Sequence, residues 1–318
     1  MDCDVCIASN GGALSLLKDE FPALPFFEIT GYHPSYPTRL FHLSLVIQFP
    51  KFLRAIRREH REVDAIIKSR KIDVIISDNR YGCWSTHIPS IFITHQLTIQ
   101  TPVFASLINF IHRKVLKNFS ACWIPDIAGD QSLAGKLSAN PRVKGIHIGH
   151  LSRFRLTQSA PPKYEVLAII SGPEPQRTVF EKLMRNELRK SRKRAMMVKG
   201  IPFTRHKEIS GDLDEISHLN AKEMNQVILE SDIVISRPGY STIMDLAKLG
   251  KTAVFIPTPG QTEQEYLGER LMKNQIALSV PQYKFDLETA LREAARFKGF
   301  ASYHQNDLLQ RALTTLLA

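Results

Sequence analysis

Residues 231–266 read SDIVISRPGYSTIMDLAKLGKTAVFIPTPGQTEQEY, and this stretch decides the fold. The short apolar run 233–236 is what a parallel strand buried on both faces requires, and Arg237-Pro238-Gly239-Tyr240-Ser241-Thr242 follows it without a polar spacer. Ser241 or Thr242 is placed to cap a helix running through Lys248. Gly250 stops that helix, and 253–256 returns as the next strand. A second loop, 257–262, then opens another helix at Glu263. Two strands that each run into a helix-opening loop make a site for an anion. In an open α/β sheet, ligands lie beyond the carboxyl ends of the strands, where helix amino ends offer N–H groups and partial positive charge.

Working outward, the second half continues the alternation. Strands are predicted at 166–170, 195–198, around Ile216, 233–236 and 253–256, with helices at 178–189, 221–230, 242–248 and 263–273. Ser171-Gly172-Pro173-Glu174-Pro175-Gln176-Arg177 is a further strand-to-helix turn: Gly172 lets backbone approach closely, and Arg177 supplies a forked cation suited to phosphate oxygens. It lacks the G-x-G-x-x-G spacing of dinucleotide folds, so its weight comes from combination with other loops. Lys199-Gly200 ends a third strand and His218-Leu219-Asn220 a fourth, which places polar residues along one edge of one sheet. Asp245, early in the helix after Thr242, can pair with ribose hydroxyls or simply favour the helix dipole.

The first half has the same layout, with strands at 5–9, 26–29, 74–77, 91–94, 121–124 and 145–149 and helices near 13–18, 40–69 and 102–116. Residues 152–163, SRFRLTQSAPPK, are polar, proline-bearing and aperiodic, which marks a linker. The expected organisation is therefore an α/β chain of two doubly wound, Rossmann-like domains facing a cleft: 1–151, the linker 152–163, and 164–318. VIISDNRYG at 74–82 and IFITHQ at 91–96 end in polar clusters that would face it. Asp78 or His95 can serve as a base there, beside Asn79, Arg80, Tyr81 and Gln96; the bland alternatives are a surface turn and a structural histidine.

Composition narrows the class. A chain of 318 residues with 43% hydrophobic content can bury two cores, and no stretch approaches the ~20 apolar residues of a membrane span. Without a signal-peptide layout at MDCDVCIASN, a cytoplasmic location is expected. Cys3, Cys6, Cys83 and Cys122 are too few for a disulfide framework. Cys3-x-x-Cys6 overlaps a segment read as a buried strand, which favours strand thiols over a redox or zinc site. The net charge of +11 favours anionic partners, a nucleotide or the negative face of a membrane. Much of it lies in 51–58 and in RNELRKSRKR at 185–194, which a solvated helix face also explains. The first run follows the apolar FHLSLVIQF at 41–49, as an interfacial helix would. Nucleic acid is not expected as a partner, because the basic residues are not interleaved with aromatic stacking groups.

The run ISRPGYSTIMDLAKLGKTAVFIPTPGQTEQEYLGERL resembles the nucleotide-sugar half of GT-B glycosyltransferases. It is similar in particular to the glycosyltransferase family 28 C-terminal domain, typified by the MurG-type N-acetylglucosaminyltransferases, from Val166 to near the chain end. The resemblance implies that the loop from Ser171 through Gly172 to Arg177 faces a diphosphate, with Lys199 and Gly200 nearby, and that His218, Leu219 and Asn220 frame uracil through backbone groups. It implies that Arg237, Pro238, Gly239, Ser241 and Thr242 cover the phosphates. Asp245 stands where the family has a ribose-binding glutamate. Gln261, Glu263, Gln264 and Glu265 fall at the donor-sugar loop, with Glu265 replacing the second glutamine of the family's pair. The first half resembles the acceptor domain more weakly: His95-Gln96-Leu97-Thr98 stands for His-Glu-Gln-Asn, and the family's opening strand, histidine-bearing glycine loop and helix would precede the strand at 5–9.

What this implies is a hexosyltransferase that takes a nucleotide-sugar, a UDP-sugar above all, and passes the sugar to a lipid-linked or other membrane-proximal acceptor. Inverting displacement would proceed without a metal or other cofactor, with possible peripheral contact at the inner face of the membrane. The alternatives are a nucleotide-sugar epimerase or hydrolase on the same fold, and a nucleotide-sugar-binding protein with impaired catalysis.

Overall fold

The computed structural model divides the chain into two compact units, residues 1–149 with 306–318, and residues 150–305. It describes residues 3–32, 41–101, 104–157, 161–201, 206–301 and 307–317, with 41–49 described by backbone alone.

The first unit runs β1 (Ile7–Ser9), α1 (Gly11–Glu20), β2 (Phe26–Glu28), α2 (Phe41–Ser69), β3 (Ile75–Asp78), β4 (Ser90–Ile93), α3 (Ala105–Leu116), β5 (Ala121–Ile124) and β6 (Gly145–His147). All strand pairs are parallel and form two sets, β1 with β2, and β3-β4-β5-β6. Phe92, Leu97, Leu116, Phe119, Cys122 and Ile124 make a core between the four strands and α3. The strand expected at 5–9 begins only at Ile7. Cys3 and Cys6 precede it and are exposed free thiols, so the expectation of buried strand thiols is corrected. On α2, Lys51, Arg54, Arg57, Arg58 and Arg61 are exposed, while the apolar residues 41–49 lie outside the described side chains.

The second unit runs β7 (Tyr164–Ile169), α4 (Gln176–Ser191), β8 (Ala195–Val198), β9 (Lys207–Ser210), β10 (Leu213–Ile216), α5 (Ala221–Leu229), β11 (Ser231–Ser236), α6 (Tyr240–Leu249), β12 (Thr252–Phe255), α7 (Thr262–Lys273), β13 (Leu278–Ser279) and α8 (Leu287–Ala294). The chain ends in α9 (Leu308–Leu317), which groups with the first unit. Seven strands lie in the order β13-β12-β11-β7-β8-β10-β9, parallel throughout except for β9 against β10. Val166, Ala168, Met197, Ile235 and Val254 point into a core closed by Phe180, Met184 and Leu188 of α4 and Leu287, Ala290 and Ala294 of α8. Continuous apolar runs are what strands covered on both faces need.

This order sets the site. From β7 the chain steps to β8 and β10, then returns through α5 to β11 on the other side of β7, so the direction of winding reverses between β7 and β11. Ile169 and Ser236 are register partners at the ends of those strands, and residues 170–175 and 237–239 leave the sheet side by side. Such a switch point opens a crevice at the carboxyl edge.

Two stretches pack more closely than composition suggests. Within 152–163, Phe154 is 3% exposed, Arg155 N donates to Asn225 Oδ1 at 2.9 Å, and Asn225 Nδ2 donates back to Arg155 O at 3.1 Å. The first part of this stretch is therefore fastened to the second unit. The basic run at 185–194 is largely paired: Arg185 reaches Glu215 and Glu181, Lys190 reaches Glu187, Lys193 reaches Glu165, and Arg194 meets both oxygens of Asp214. Much of its charge is met by neighbouring carboxylates.

Candidate functional site

The turn after β11 carries the clearest anion geometry. Gly239 occupies the cap position of α6 and no side chain among the described residues caps the helix, which corrects the expected capping by Ser241 or Thr242. Ser241 is exposed and Thr242 half-buried, so the amino end of α6 opens toward solvent. Uncapped N–H groups and the helix dipole suit a phosphate.

Arg237 does not join them as a cation facing solvent. It is 1% exposed, its guanidinium lies 4.1 Å from the Phe180 ring centroid, and it donates to Ile256 O at 2.8 Å, Pro257 O at 2.9 Å and Gln282 Oε1 at 2.5 Å. Its buried Nε has no partner among the described residues, and burial pulls its pKa down to about 10. The side chain thus braces the loop after β12 from below, and a ligand at this turn would meet main chain around the buried Pro238 rather than the guanidinium. Sequence shows an arginine in a loop; only burial shows which way it turns.

Along the neighbouring turn, Ser171 is exposed and Gly172 has φ 109° with open space where a Cβ would stand. Gly200 has φ 66°, and a Cβ there would meet Ile170 O at 2.5 Å, so the β7 and β8 ends approach as only glycine permits. Arg177 lies at the start of α4 but is engaged: it donates to Glu174 Oε1 and Glu181 Oε2, both at 2.6 Å, and to Lys199 O at 3.1 Å. Lys199 Nζ pairs with Glu215 at 3.0 Å. A phosphate would reach Arg177 by displacing Glu174, whose side chain is 56% exposed.

His218 is half-buried and Leu219 buried at the end of β10. Asn220 spends its side chain on a capping box, accepting from Glu223 N at 2.9 Å while its own N–H donates to Glu223. Asp245, half-buried on α6, accepts from Ser152 Oγ at 2.6 Å. Burial raises its pKa to about 6, against the lowering effect of Ser152 and Arg153. In the loop after β12, Gln264 Oε1 accepts from Thr258 N at 2.8 Å and Glu265 Oε1 from Gly260 N at 2.9 Å, so both side chains shape the loop, while Gln261 and Glu263 are half-buried beside them.

In the first unit, Asp78 closes β3 and His95 follows the adjoining β4, near enough for the imidazole to influence the carboxyl. Asp78 is exposed as a residue, yet burial of its carboxyl raises the pKa, with His95 acting in the opposite sense. Asn79 is exposed at φ 57°, a left-handed turn that asparagine tolerates. Arg80 turns inward, contrary to an acceptor-facing role: it donates to Glu59 Oε1 at 2.5 Å, Asn10 Oδ1 at 2.7 Å and Thr30 O at 2.5 Å. Glu59, 0% exposed, also accepts from Tyr32 Oη and from Gly82 N. Glu59 on α2 thus meets residues that follow β2 and β3, and Arg80 carries the link on to Asn10 after β1.

Tyr81 is likewise internal, stacked on Phe92 with centroids 5.2 Å apart. Its hydroxyl lies 3.0 Å from His112 Nδ1, and His112 Nε2 lies 3.0 Å from Gln96 O. A carbonyl only accepts, so in neutral His112 Nε2–H donates to Gln96 and Nδ1 accepts from Tyr81. Burial lowers the His112 pKa, favouring this neutral form. The strut joins the two loops that carry Asp78 and His95. Glu59, His112 and Ser152 were not singled out from sequence: the first two sit within helical periodicity, and the third in a stretch read as linker.

Comparison with known proteins follows the same lines. Residues 199–307 match the glycosyltransferase family 28 C-terminal domain. A UDP-N-acetylglucosamine--N-acetylmuramyl-(pentapeptide) pyrophosphoryl-undecaprenol N-acetylglucosamine transferase of Listeria welshimeri is 25% identical over 293 residues, covering 86% of this chain and 76% of that protein. The protein of the same description from Buchnera aphidicola is 23% identical over 264 residues, covering 74% and 67%. Among solved structures, the glycosyltransferase SnogD from Streptomyces nogalater superposes with TM-score 0.61 at 10% identity, over 97% of this chain and 86% of that one. Acinetobacter baumannii MurG superposes with TM-score 0.55 at 11% identity, over 98% of both chains.

Proposed function

From the premise that this chain is a glycosyltransferase carrying the family 28 C-terminal domain on a GT-B fold, we propose that it transfers a sugar from a UDP-sugar to a lipid-linked, membrane-proximal acceptor. The observation that carries the donor half is the switch point between β7 and β11, where residues 170–175 and 237–239 and the uncapped amino end of α6 lie side by side.

In this reading the diphosphate rests on the α6 amino end and draws Arg177 away from Glu174, while Asp245 receives the ribose hydroxyls. Asp78, beside His95, takes the proton of the acceptor hydroxyl as its oxygen attacks the anomeric carbon. The bond from that carbon to the β-phosphate oxygen breaks, and UDP leaves with the electron pair. Its growing charge is met by helix N–H groups and guanidinium, so the scheme routes no step through a metal. The raised pKa of Asp78 suits a base that must accept a proton.

Support for a lipid-linked acceptor comes from the first unit. Phe104, Leu107 and Phe110 on or beside α3 are 62%, 55% and 57% exposed, and exposed Lys114 and Lys117 follow them. An apolar stripe ending in cations fits an anionic bilayer surface, as does the basic face of α2. No helix among the described residues is long and apolar enough to cross a membrane.

A thermal-shift panel of UDP, GDP, ADP and TDP tests the donor assignment, because a ligand bound only by the folded state raises apparent stability. UDP should give the largest shift; equal shifts for all four would contradict it.

A further inference from the structure

Ser152 stands three residues beyond Gly149, where the first unit ends, and it is bonded to a carboxylate on α6. Phe154 N donates to Ser152 Oγ at 3.1 Å, and Ser152 Oγ donates to Asp245 Oδ1 at 2.6 Å. The first bond occupies a lone pair of the hydroxyl and turns its hydrogen toward the carboxylate. Each bond polarises the next in such a chain. The segment itself is held: Leu151 N lies 3.4 Å from Met244 Sδ, Phe154 is buried, and Arg155 exchanges two hydrogen bonds with Asn225 of α5.

An ionised carboxylate has roughly four acceptor positions on two oxygens, so one bond from Ser152 restrains Asp245 without filling it. Oδ2 is left to receive a ligand hydroxyl. We propose that Ser152 is a positioning residue for nucleotide recognition, holding Asp245 in the one orientation that receives ribose hydroxyls and so fastening the 151–155 segment of the second unit to the nucleotide site.

The inference rests on the reading of Asp245 as the ribose contact, and it goes beyond that reading by assigning a function to a residue outside the donor loops. Removing the Ser152 hydroxyl would let the carboxylate swing and would take away a bond that favours its ionised form; both changes weaken ribose recognition and leave contacts to base and phosphate in place. Coupling is reciprocal by linkage, so a bound ribose must also hold the 151–155 segment more firmly.

Calorimetric titration with UDP and 2′,3′-dideoxy-UDP at pH 7 separates the possibilities. Wild-type protein should bind UDP at least tenfold more tightly than the dideoxy compound, and Asp245→Asn should close that gap. Ser152→Ala should narrow the gap about fivefold through UDP alone, a change of the size one hydrogen bond supplies, and Ser152→Thr should restore it. In hydrogen exchange, UDP should protect the Phe154 amide more than the dideoxy compound does. A Ser152→Ala protein that keeps the full gap while Asp245→Asn loses it overturns this inference and leaves the ribose site standing. Equal weakening of both ligands shows a structural role only and also overturns it. No gap in the wild type removes the ribose reading and the inference with it.

Discussion

Replacing Asp245 by asparagine should make the protein more stable and a poorer binder of UDP. The carboxyl is raised by burial to about 6, above the ~3.9 of an unfolded aspartate. Between those values the native state holds a proton that the unfolded state has released, so stability falls as pH rises through the window of about 4 to 6. The full shift corresponds to about 3 kcal/mol of destabilisation at neutral pH, at about 1.4 kcal/mol per unit. Asparagine cannot ionise and escapes that cost, but it loses part of the charge-assisted bond from Ser152, and the residue is partly solvated. A net gain of about 1–2 kcal/mol remains, or about 2–8 °C in Tm for a unit of this size. Melting by calorimetry from pH 4 to 8, with UDP titrations alongside, reads both effects. The gain should be largest above pH 7 and vanish near pH 4, and UDP affinity should fall about tenfold. A variant that melts lower than wild type at pH 7 would rule out a destabilising buried carboxylate, and one that binds UDP unchanged would rule out the ribose contact.

Other positions test the surrounding framework. Gly200→Ala meets a left-handed φ of 66° and a carbonyl oxygen 2.5 Å from the new methyl, so it should cost about 2 kcal/mol or more in denaturant melts, with the β7 and β8 ends forced apart. Arg237→Met removes an unpaired buried cation but strands the Ile256 and Pro257 carbonyls; a loss of about 3 kcal/mol with a raised KM for the donor is expected, and an unchanged KM would deny its bracing of the donor loop. Tyr81→Phe leaves His112 Nδ1 without its donor and should lower kcat more than donor KM, since it loosens the loops bearing Asp78 and His95. Because the native pKa of His112 is depressed, the unfolded state binds more protons below about pH 6.5, so acidification should destabilise the first unit, and a His112→Gln variant should lose that slope.

The switch-point loops were legible because their signals are local. Residues 233–236 and 253–256 are short, largely apolar runs followed by loops that contain Pro and Gly, and β11 and β12 form there with ends within two residues of those expected. The adjacency that gives those loops meaning, β7 beside β11, is a long-range pairing no spacing records. Side-chain direction was hidden for the same reason: Arg237 and Arg80 are loop arginines by sequence, yet both turn inward to carbonyls or a buried carboxylate. Two-residue β13 is too short to show periodicity, and α8, which Asp286 caps by accepting from Thr289 N, was not read from the sequence. The stretch at 152–163 looked like a linker because its holding contacts, Ser152 to Asp245 and Arg155 to Asn225, reach 93 and 70 residues ahead.

Sugar transfer from a UDP-sugar to a lipid acceptor is measured directly by following isotope-labelled sugar from a set of UDP-sugars with and without a bacterial lipid extract. UDP release should depend on the lipid, label should enter the lipid phase with inverted anomeric configuration, and Asp78→Asn should lose both. UDP release at the same rate without lipid, with free or epimerised sugar as the product, would contradict that transfer.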